Sequence, residues 1–307
     1  MICYYVELKM FKYLFYFLIL IVIETGCSKK DNILTIGIKR KVVSSIPFWL
    51  ALNMDKLPED YYNLKYYSDY KDIKRALIKN KIDIAILPFH RIYEAKEEES
   101  DIRVISFLQR EGIGMLANKD FNKEILTQSE KVGVINNSVN TWICKFFLKN
   151  SKILQFSSLK KLSDAYHKNE IDFICASVPE ILNLMDSLSD TQIYWLKEKS
   201  PLFSVYNIAT TKNVMKSSQK KVKLLNEILE NVTDIMWDNP FISYEAARDY
   251  LEIPRHKAEQ TMQNTKFLLG LEAKYQNFEK HVAEQMVQEN FIKNLPADLY
   301  LEINKSN

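Results

Sequence analysis

The chain has 307 residues, 47% of them apolar and 26% charged, with a net charge of +3. That apolar fraction with so little net charge excludes intrinsic disorder and leaves enough apolar surface for one large core or two smaller ones. The basic excess forms no stripe. Its densest runs, Lys39-Arg40-Lys41 and Lys216 to Lys223, read as solvated surface, so nucleic acid is not expected as a partner.

Six glycines, the closest pair being Gly112 and Gly114, leave no room for a phosphate-cradling loop. The Walker A, G-x-G-x-x-G, G-x-S-x-G and H-E-x-x-H patterns are all missing, so no catalytic residue and no cofactor are expected. The histidines His90, His167, His256 and His281 are too dispersed to suggest a metal site.

In chain order, Lys9 and Lys12 precede an apolar run from Tyr13 to Ile23. At 1.5 Å per residue this run covers only about half of a bilayer's hydrocarbon core. A basic start, a short apolar stretch and a small residue describe a secretory signal over residues 1–26, with Met10 as an alternative start. Gly26-Cys27 resembles the bacterial lipobox, although Glu24 stands where that motif prefers an apolar residue. The resemblance implies lipidation of Cys27, a polar tether over residues 27–33, and attachment to the extracytoplasmic face of a bacterial membrane.

Leu34 to Ile38 alternates and is β-branched, which predicts a strand. Pro47 suits the first turn of a helix beginning around Phe48. A strand over Leu64 to Tyr67, an amphipathic helix over Lys71 to Lys79 and a buried strand from Ile82 to Pro88 follow. Such alternation is the pattern of a parallel α/β sheet.

The chain then echoes itself. Ala76, Lys79, Asn80, Ile82 and Asp83 recur as Ala165, Lys168, Asn169, Ile171 and Asp172 at identical spacing, and both stretches end at proline, Pro88 and Pro179. Lys131 to Ile135 repeats the first strand, and a polar loop and a helix from Trp142 to Lys149 follow it. Two tandem halves are expected, 34–110 plus 203–307 and 111–202. The chain crosses between them near residue 111, after Gln109-Arg110, and again near 203. The remainder reads as helical. One helix carries the stripe Val222, Leu225, Ile228, Leu229, Val232, Ile235, Met236, capped by Ser217 or Ser218. Others span Ser243 to Leu251, Pro254 to Leu269 and Glu272 to Lys293. Cys144 and Cys175 read as small buried apolar residues, with a disulfide as the alternative.

In each half, a helix, an Asn-started turn and an Ile-Asp strand follow one another. With Phe48-Trp49-Leu50-Ala51 and Lys131-Val132-Gly133-Val134, this order resembles the type 2 periplasmic-binding fold. More narrowly it resembles the nitrate/sulfonate/taurine/thiamine-precursor family of ABC-importer receptors. The resemblance implies two lobes of mostly parallel sheet flanked by helices, with the C-terminal helices packed on lobe 1. It implies a monomeric, non-enzymatic receptor that delivers a small organic anion or planar heteroaromatic to a permease and ATPase complex. An enzyme on the same fold, or a surface lipoprotein that has lost transport, are the alternatives.

In that fold the ligand lies beyond the carboxyl ends of the strands. The candidates are then Ser44, Ser45, Phe48, Trp49, Pro88, Phe89 and His90 from lobe 1, and Gln109 and Arg110 at the crossing. Lobe 2 offers Ser138, Asn140, Thr141, Trp142, Ser177 and Glu180. Several have a structural reading: Ser44, Ser45 and Thr141 as helix caps, Phe48 and Trp49 as core, His90 as surface, Arg110 in an ion pair between the lobes.

Overall fold

The computed structural model describes residues 33–99, 101–119, 130–198 and 203–302. The signal, Cys27 and all of the tether but Ile33 lie outside the described residues. Among the described residues eleven strands form two mixed sheets flanked by helices.

The first sheet is ordered β11-β4-β10-β3-β1-β2. Its strands are β1 (Leu34–Lys39), β2 (Tyr62–Tyr67), β3 (Ile84–Pro88), β4 (Ile102–Glu111), β10 (Ser204–Thr211) and β11 (Thr265–Phe267). The second, β7-β6-β8-β5-β9, comprises β5 (Ile113–Asn118), β6 (Lys131–Ile135), β7 (Lys152–Phe156), β8 (Phe173–Ser177) and β9 (Thr191–Trp195). β1 pairs in parallel with β2 and β3, as β6 does with β7 and β8. In the first sheet β10 runs antiparallel to β3 and β4, and β11 to β4; in the second β5 runs antiparallel to β8 and β9. β5 and β10 follow the crossings. Gly112, at φ +77°, joins β4 to β5, and the chain returns after β9.

The α-helices among the described residues are α1 (Ile46–Asn53), α2 (Tyr70–Ile78), α3 (Phe89–Glu98), α4 (Val139–Phe147), α5 (Leu159–His167), α6 (Glu180–Ser187), α7 (Lys212–Asp238), α8 (Pro240–Leu251), α9 (Arg255–Gln263) and α10 (Ala273–Gln288).

The sequence echo has a physical cause. Asn80 and Asn169, at φ 51° and 56°, make the left-handed turn after α2 and α5, and asparagine tolerates this backbone better than most residues. Three residues on, Asp83 exchanges two bonds with Thr35: Thr35 donates its N–H to the carboxylate at 2.7 Å, and the Asp83 N–H donates to the Thr35 carbonyl at 2.8 Å. Asp172 does the same with Lys131, at 2.8 and 2.9 Å. Each aspartate thereby fixes the register of the strand after the turn against the first strand of its sheet. Gly37 and Gly133 leave the space that Ile82 and Ile171 occupy over those first strands. We expect Asn80→Val and Asn169→Val each to lower stability by about 1–2 kcal/mol, and the matching glycine variants to be near neutral, in chemical denaturation.

The helix stripe packs as expected, with Val222, Leu225, Leu229, Val232 and Met236 buried. Its N-cap is Thr211, whose hydroxyl accepts from the Val214 N–H, and not Ser217 or Ser218; Ser218 is the non-helical residue at which α7 bends. The helix expected up to Leu269 stops at Gln263. The chain then adds β11 to the edge of β4, since that edge would otherwise leave backbone groups without partners. The last helix ends at Gln288 rather than Lys293, with Asn290 left-handed beyond it. It packs on more than the first sheet's side. Phe278 meets Phe146 of α4 at 5.0 Å, and Lys145 pairs with Glu289. Cys144 of α4 and Cys175 of β8 are joined as a disulfide, which corrects their reading as unpaired apolar residues. Among the described residues no helix is long and apolar enough to cross a membrane.

Candidate functional site

The carboxyl ends of β1, β2 and β3 face those of β6, β7 and β8 across a cleft of about 410 Å³, within the usual range for small-molecule sites. Its walls come from the first turns of α2 and α3 on one side and of α4, α5 and α6 on the other.

These helix starts are not equivalent. Asp69 caps α2, accepting from the Lys71 N–H at 2.6 Å, and Ser158 caps α5. No side chain caps α3, α4 or α6. Pro88 and Pro179, which precede α3 and α6, offer no capping oxygen, and the Ser138 hydroxyl before α4 donates instead to the Ile135 carbonyl at 2.7 Å. First-turn N–H groups of three helices of eight or more residues therefore meet the cleft without an N-cap side chain, although at α6 the Glu180 carboxyl turns back to its own N–H. Such positions favour acceptor atoms of a ligand.

Of the fifteen predicted site residues, the cleft brings together Pro88, His90, Gln109, Ser138, Asn140, Ser177 and Glu180. Ser177 donates to the Asn140 Oδ1 at 2.8 Å, which ties β8 to α4 at the cleft wall. His90 is buried rather than on the surface.

The remaining eight do not line it. Ser44 is buried beside the Tyr70 hydroxyl, and Ser45 donates to the Lys39 carbonyl at 2.8 Å. Phe48 and Phe89 are fully buried core, and Trp49 packs on Tyr250 at 5.8 Å. Thr141 is buried one turn inside α4, whose N-cap is Ser138, and Trp142 meets Phe291 at 4.8 Å. Arg110 points to the last helix, bonding the Tyr275 hydroxyl with its guanidinium over that ring, and Glu111 is 3.9 Å away. In each case the core face of an element claimed a side chain that its loop position had suggested for the ligand.

The cleft recruits others in their place: Lys39, Tyr70, Arg91 and Tyr206. Tyr70 and Tyr206 stack with centroids 5.4 Å apart, and the Lys39 ammonium lies 4.8 Å over the Tyr70 ring. Arg91 pairs with Glu94 at 2.7 Å and also reaches across to the Asn137 carbonyl at 3.4 Å. The signal for Tyr70 was its place after β2, since the loops after β2 and β7 belong to the cleft as much as those after β1 and β6.

Burial pushes the Glu180 carboxyl up to about 7, only partly offset by its own backbone N–H and by Lys39. Burial holds His90 well below the ordinary histidine range, and Arg91 adds to this. The imidazole is thus neutral. Among the described residues no group of His, Cys, Asp and Glu could hold a metal ion.

No family model matches the chain. A curated protein, the non-toxic nonhemagglutinin type A of Clostridium botulinum (strain Kyoto / Type A2), is 24% identical over 233 residues. That match takes in 72% of this chain but spans only 20% of that protein's length. Solved structures share the fold. The periplasmic aliphatic sulphonate binding protein SsuA from Escherichia coli superposes with a TM-score of 0.72, at 10% identity over 87% of this chain and 90% of that one. The alkanesulfonate-binding protein SsuA from Xanthomonas axonopodis pv. citri, solved bound to MOPS, gives 0.65 at 11% identity over 88% and 98%. The ligand-binding component of an ABC-type import system from Staphylococcus aureus, solved with zinc bound, gives 0.69 at 13% identity over 88% and 96%. The chain therefore has the periplasmic-binding-protein fold.

Proposed function

We propose that the chain is the solute-binding component of an ABC importer, exported, acylated at Cys27 and held on the extracytoplasmic face of the membrane. The two sheets with their helices act as lobes, 34–110 plus 203–307 and 111–202. They enclose a small organic molecule, which the closed form presents to a permease and ATPase complex. The protein binds without transforming its ligand and acts as a monomer. The observation that carries this reading is the cleft itself, which the strand ends of both sheets line together with uncapped helix starts. Further support comes from the solved neighbours of the same fold, described as sulfonate-binding and import-system proteins.

A ligand seated there stabilises the folded state by mass action, by about 2.7 kcal/mol at a hundredfold excess over Kd. Thermal denaturation against a library of small organic solutes is expected to give at least one strong upward shift. Small-angle scattering with that solute should show compaction, as closure about the two crossings requires. If no solute shifts the transition, or if the binding solute is turned over, the receptor reading fails.

A further inference from the structure

Two side chains on the first-sheet side of the cleft carry buried polar atoms without close hydrogen-bond partners: His90, at both ring nitrogens, and Gln109, at Oε1. One side of the His90 ring faces the Asn137 backbone, and the Tyr70 hydroxyl lies beside Ser44 and Tyr206. His90 is 1% exposed and Gln109 3%. Leaving such a group unpaired forfeits its hydration without return, and a built cleft tolerates this where something else completes the bond. The sheet register sets them close together: Tyr206 of β10 lies between Pro88, the residue before α3, and Gln109 of β4.

The chemistry of the unpaired set is lopsided. A glutamine Oε1 only accepts. A neutral imidazole accepts at one nitrogen and donates at the other. Glu180, across the cleft, accepts when ionised. Of the cations on the cleft wall, Arg91 is paired with Glu94 and Lys39 lies over the Tyr70 ring, which leaves Lys71, exposed at the rim beside Asp69, to meet an anion. A sulfonate, which offers only acceptor oxygens, would set them against Gln109 and Glu180. The uncapped starts of α4 and α6, by contrast, call for an acceptor on the second-sheet side.

We infer that the cleft selects a neutral molecule with an amide-like donor–acceptor edge, of the amino-heterocycle or carboxamide class, over a fully ionised sulfonate, and that Gln109 and His90 set the choice. The inference rests on the receptor reading above and narrows its ligand. An N–H group of such a ligand meets the Gln109 Oε1 and the acceptor nitrogen of His90, and its carbonyl or ring nitrogen faces the helix starts.

Calorimetric titration of the full chain with cytosine, nicotinamide and ethanesulfonate tests this. Cytosine or nicotinamide is expected to bind at one site, at least about tenfold tighter than ethanesulfonate, the equivalent of one well-made hydrogen bond. Gln109→Leu and His90→Phe should each weaken the preferred ligand by about tenfold while keeping a cooperative thermal transition, and Gln109→Asn should restore part of the loss.

The wild-type protein carries an independent readout. Glu180 is faced by Lys39 from β1, Tyr70 from α2 and Tyr206 from β10, with Asp69, Lys71, His90 and Arg91 elsewhere on the cleft wall. Of these, His90 stays neutral above its lowered pKa. Glu180 ionises as pH rises through about 7. A donor ligand that needs the carboxylate gains up to about tenfold in affinity from pH 6 to pH 8, and an acceptor-only anion loses affinity over the same range.

Tighter binding of ethanesulfonate, or an affinity for cytosine and nicotinamide that falls with pH, overturns the inference and leaves the receptor reading standing. The same holds if none of the three binds while the solute library still yields a shift. If the library yields none, both fall.

Discussion

Glu279→Ala is expected to destabilise the protein by about 3–5 kcal/mol, because three buried donors lose their shared acceptor at once. Glu279 projects from α10 and is fully buried. Its Oε1 receives the Asn207 amide at 2.7 Å and the Ser204 hydroxyl, both on β10, and its Oε2 receives the Tyr300 hydroxyl at 2.6 Å. Tyr300 in turn lies 3.2 Å from the Tyr93 hydroxyl on α3. One carboxyl thus fastens the last helix to the central strand of the first sheet and to the chain's final described segment. Burial raises its pKa, which the three donors partly counter. A neutral side chain of the same shape therefore loses little. In Glu279→Gln the retained Oε1 still accepts from Ser204 and Asn207. The new amide donates to Tyr300, whose hydroxyl can turn toward Tyr93. We expect that variant to lie within about 1 kcal/mol of wild type in urea denaturation. Equal losses for the alanine and glutamine variants would mean that the ionised carboxylate, rather than the acceptor geometry, holds the network.

The parts of the fold that were legible in the sequence are those in which a residue type answers a backbone demand. Asn80 and Asn169 mark the left-handed turns, and Asp83 and Asp172 mark the registers of β3 and β8, so the duplication could be read from spacing alone. The two crossings showed as apolar runs around Gly112 and Phe203. β11 was not legible, because Thr265-Lys266-Phe267 continues a helical pattern and becomes a strand only when the exposed edge of β4 is beside it. The site divides along the same line. Ser138, Asn140, Ser177 and Glu180 lie at or just beyond strand ends, where topology alone places them at the cleft. Phe48, Phe89, Trp142 and Arg110 share that neighbourhood in sequence, but their direction depends on packing partners far along the chain: α7 and α8 behind α1, Phe291 against Trp142, Tyr275 against Arg110. Tyr206 escaped notice for the converse reason: in a chain with 17 tyrosines, nothing local separates one that lines the cleft from those that cover a core, whereas Tyr70 was legible from its place just after β2.

The pairing of Cys144 with Cys175 carries the second large expected effect. The bond closes a loop between residues 31 apart, and restricting the unfolded chain in this way contributes about 3–4 kcal/mol. Cys144→Ala combined with Cys175→Ala should therefore unfold at markedly lower urea. Its m-value should be higher, because the unfolded chain without the cross-link is more open. The consequence reaches the cleft. Cys144 belongs to α4, whose first turn carries Asn140, and Cys175 belongs to β8, which ends at Ser177, and these two side chains are bonded to each other at 2.8 Å. The disulfide and this hydrogen bond join the same helix to the same strand, one at the cleft and one behind it. Removing the covalent tie should thus weaken ligand binding as well as stability, whereas Asn140→Ala should weaken binding with a stability loss of only about 1 kcal/mol. Alkylation of the denatured, unreduced protein followed by peptide mass mapping tests the tie: label on Cys144 or Cys175 would remove the basis for both expectations.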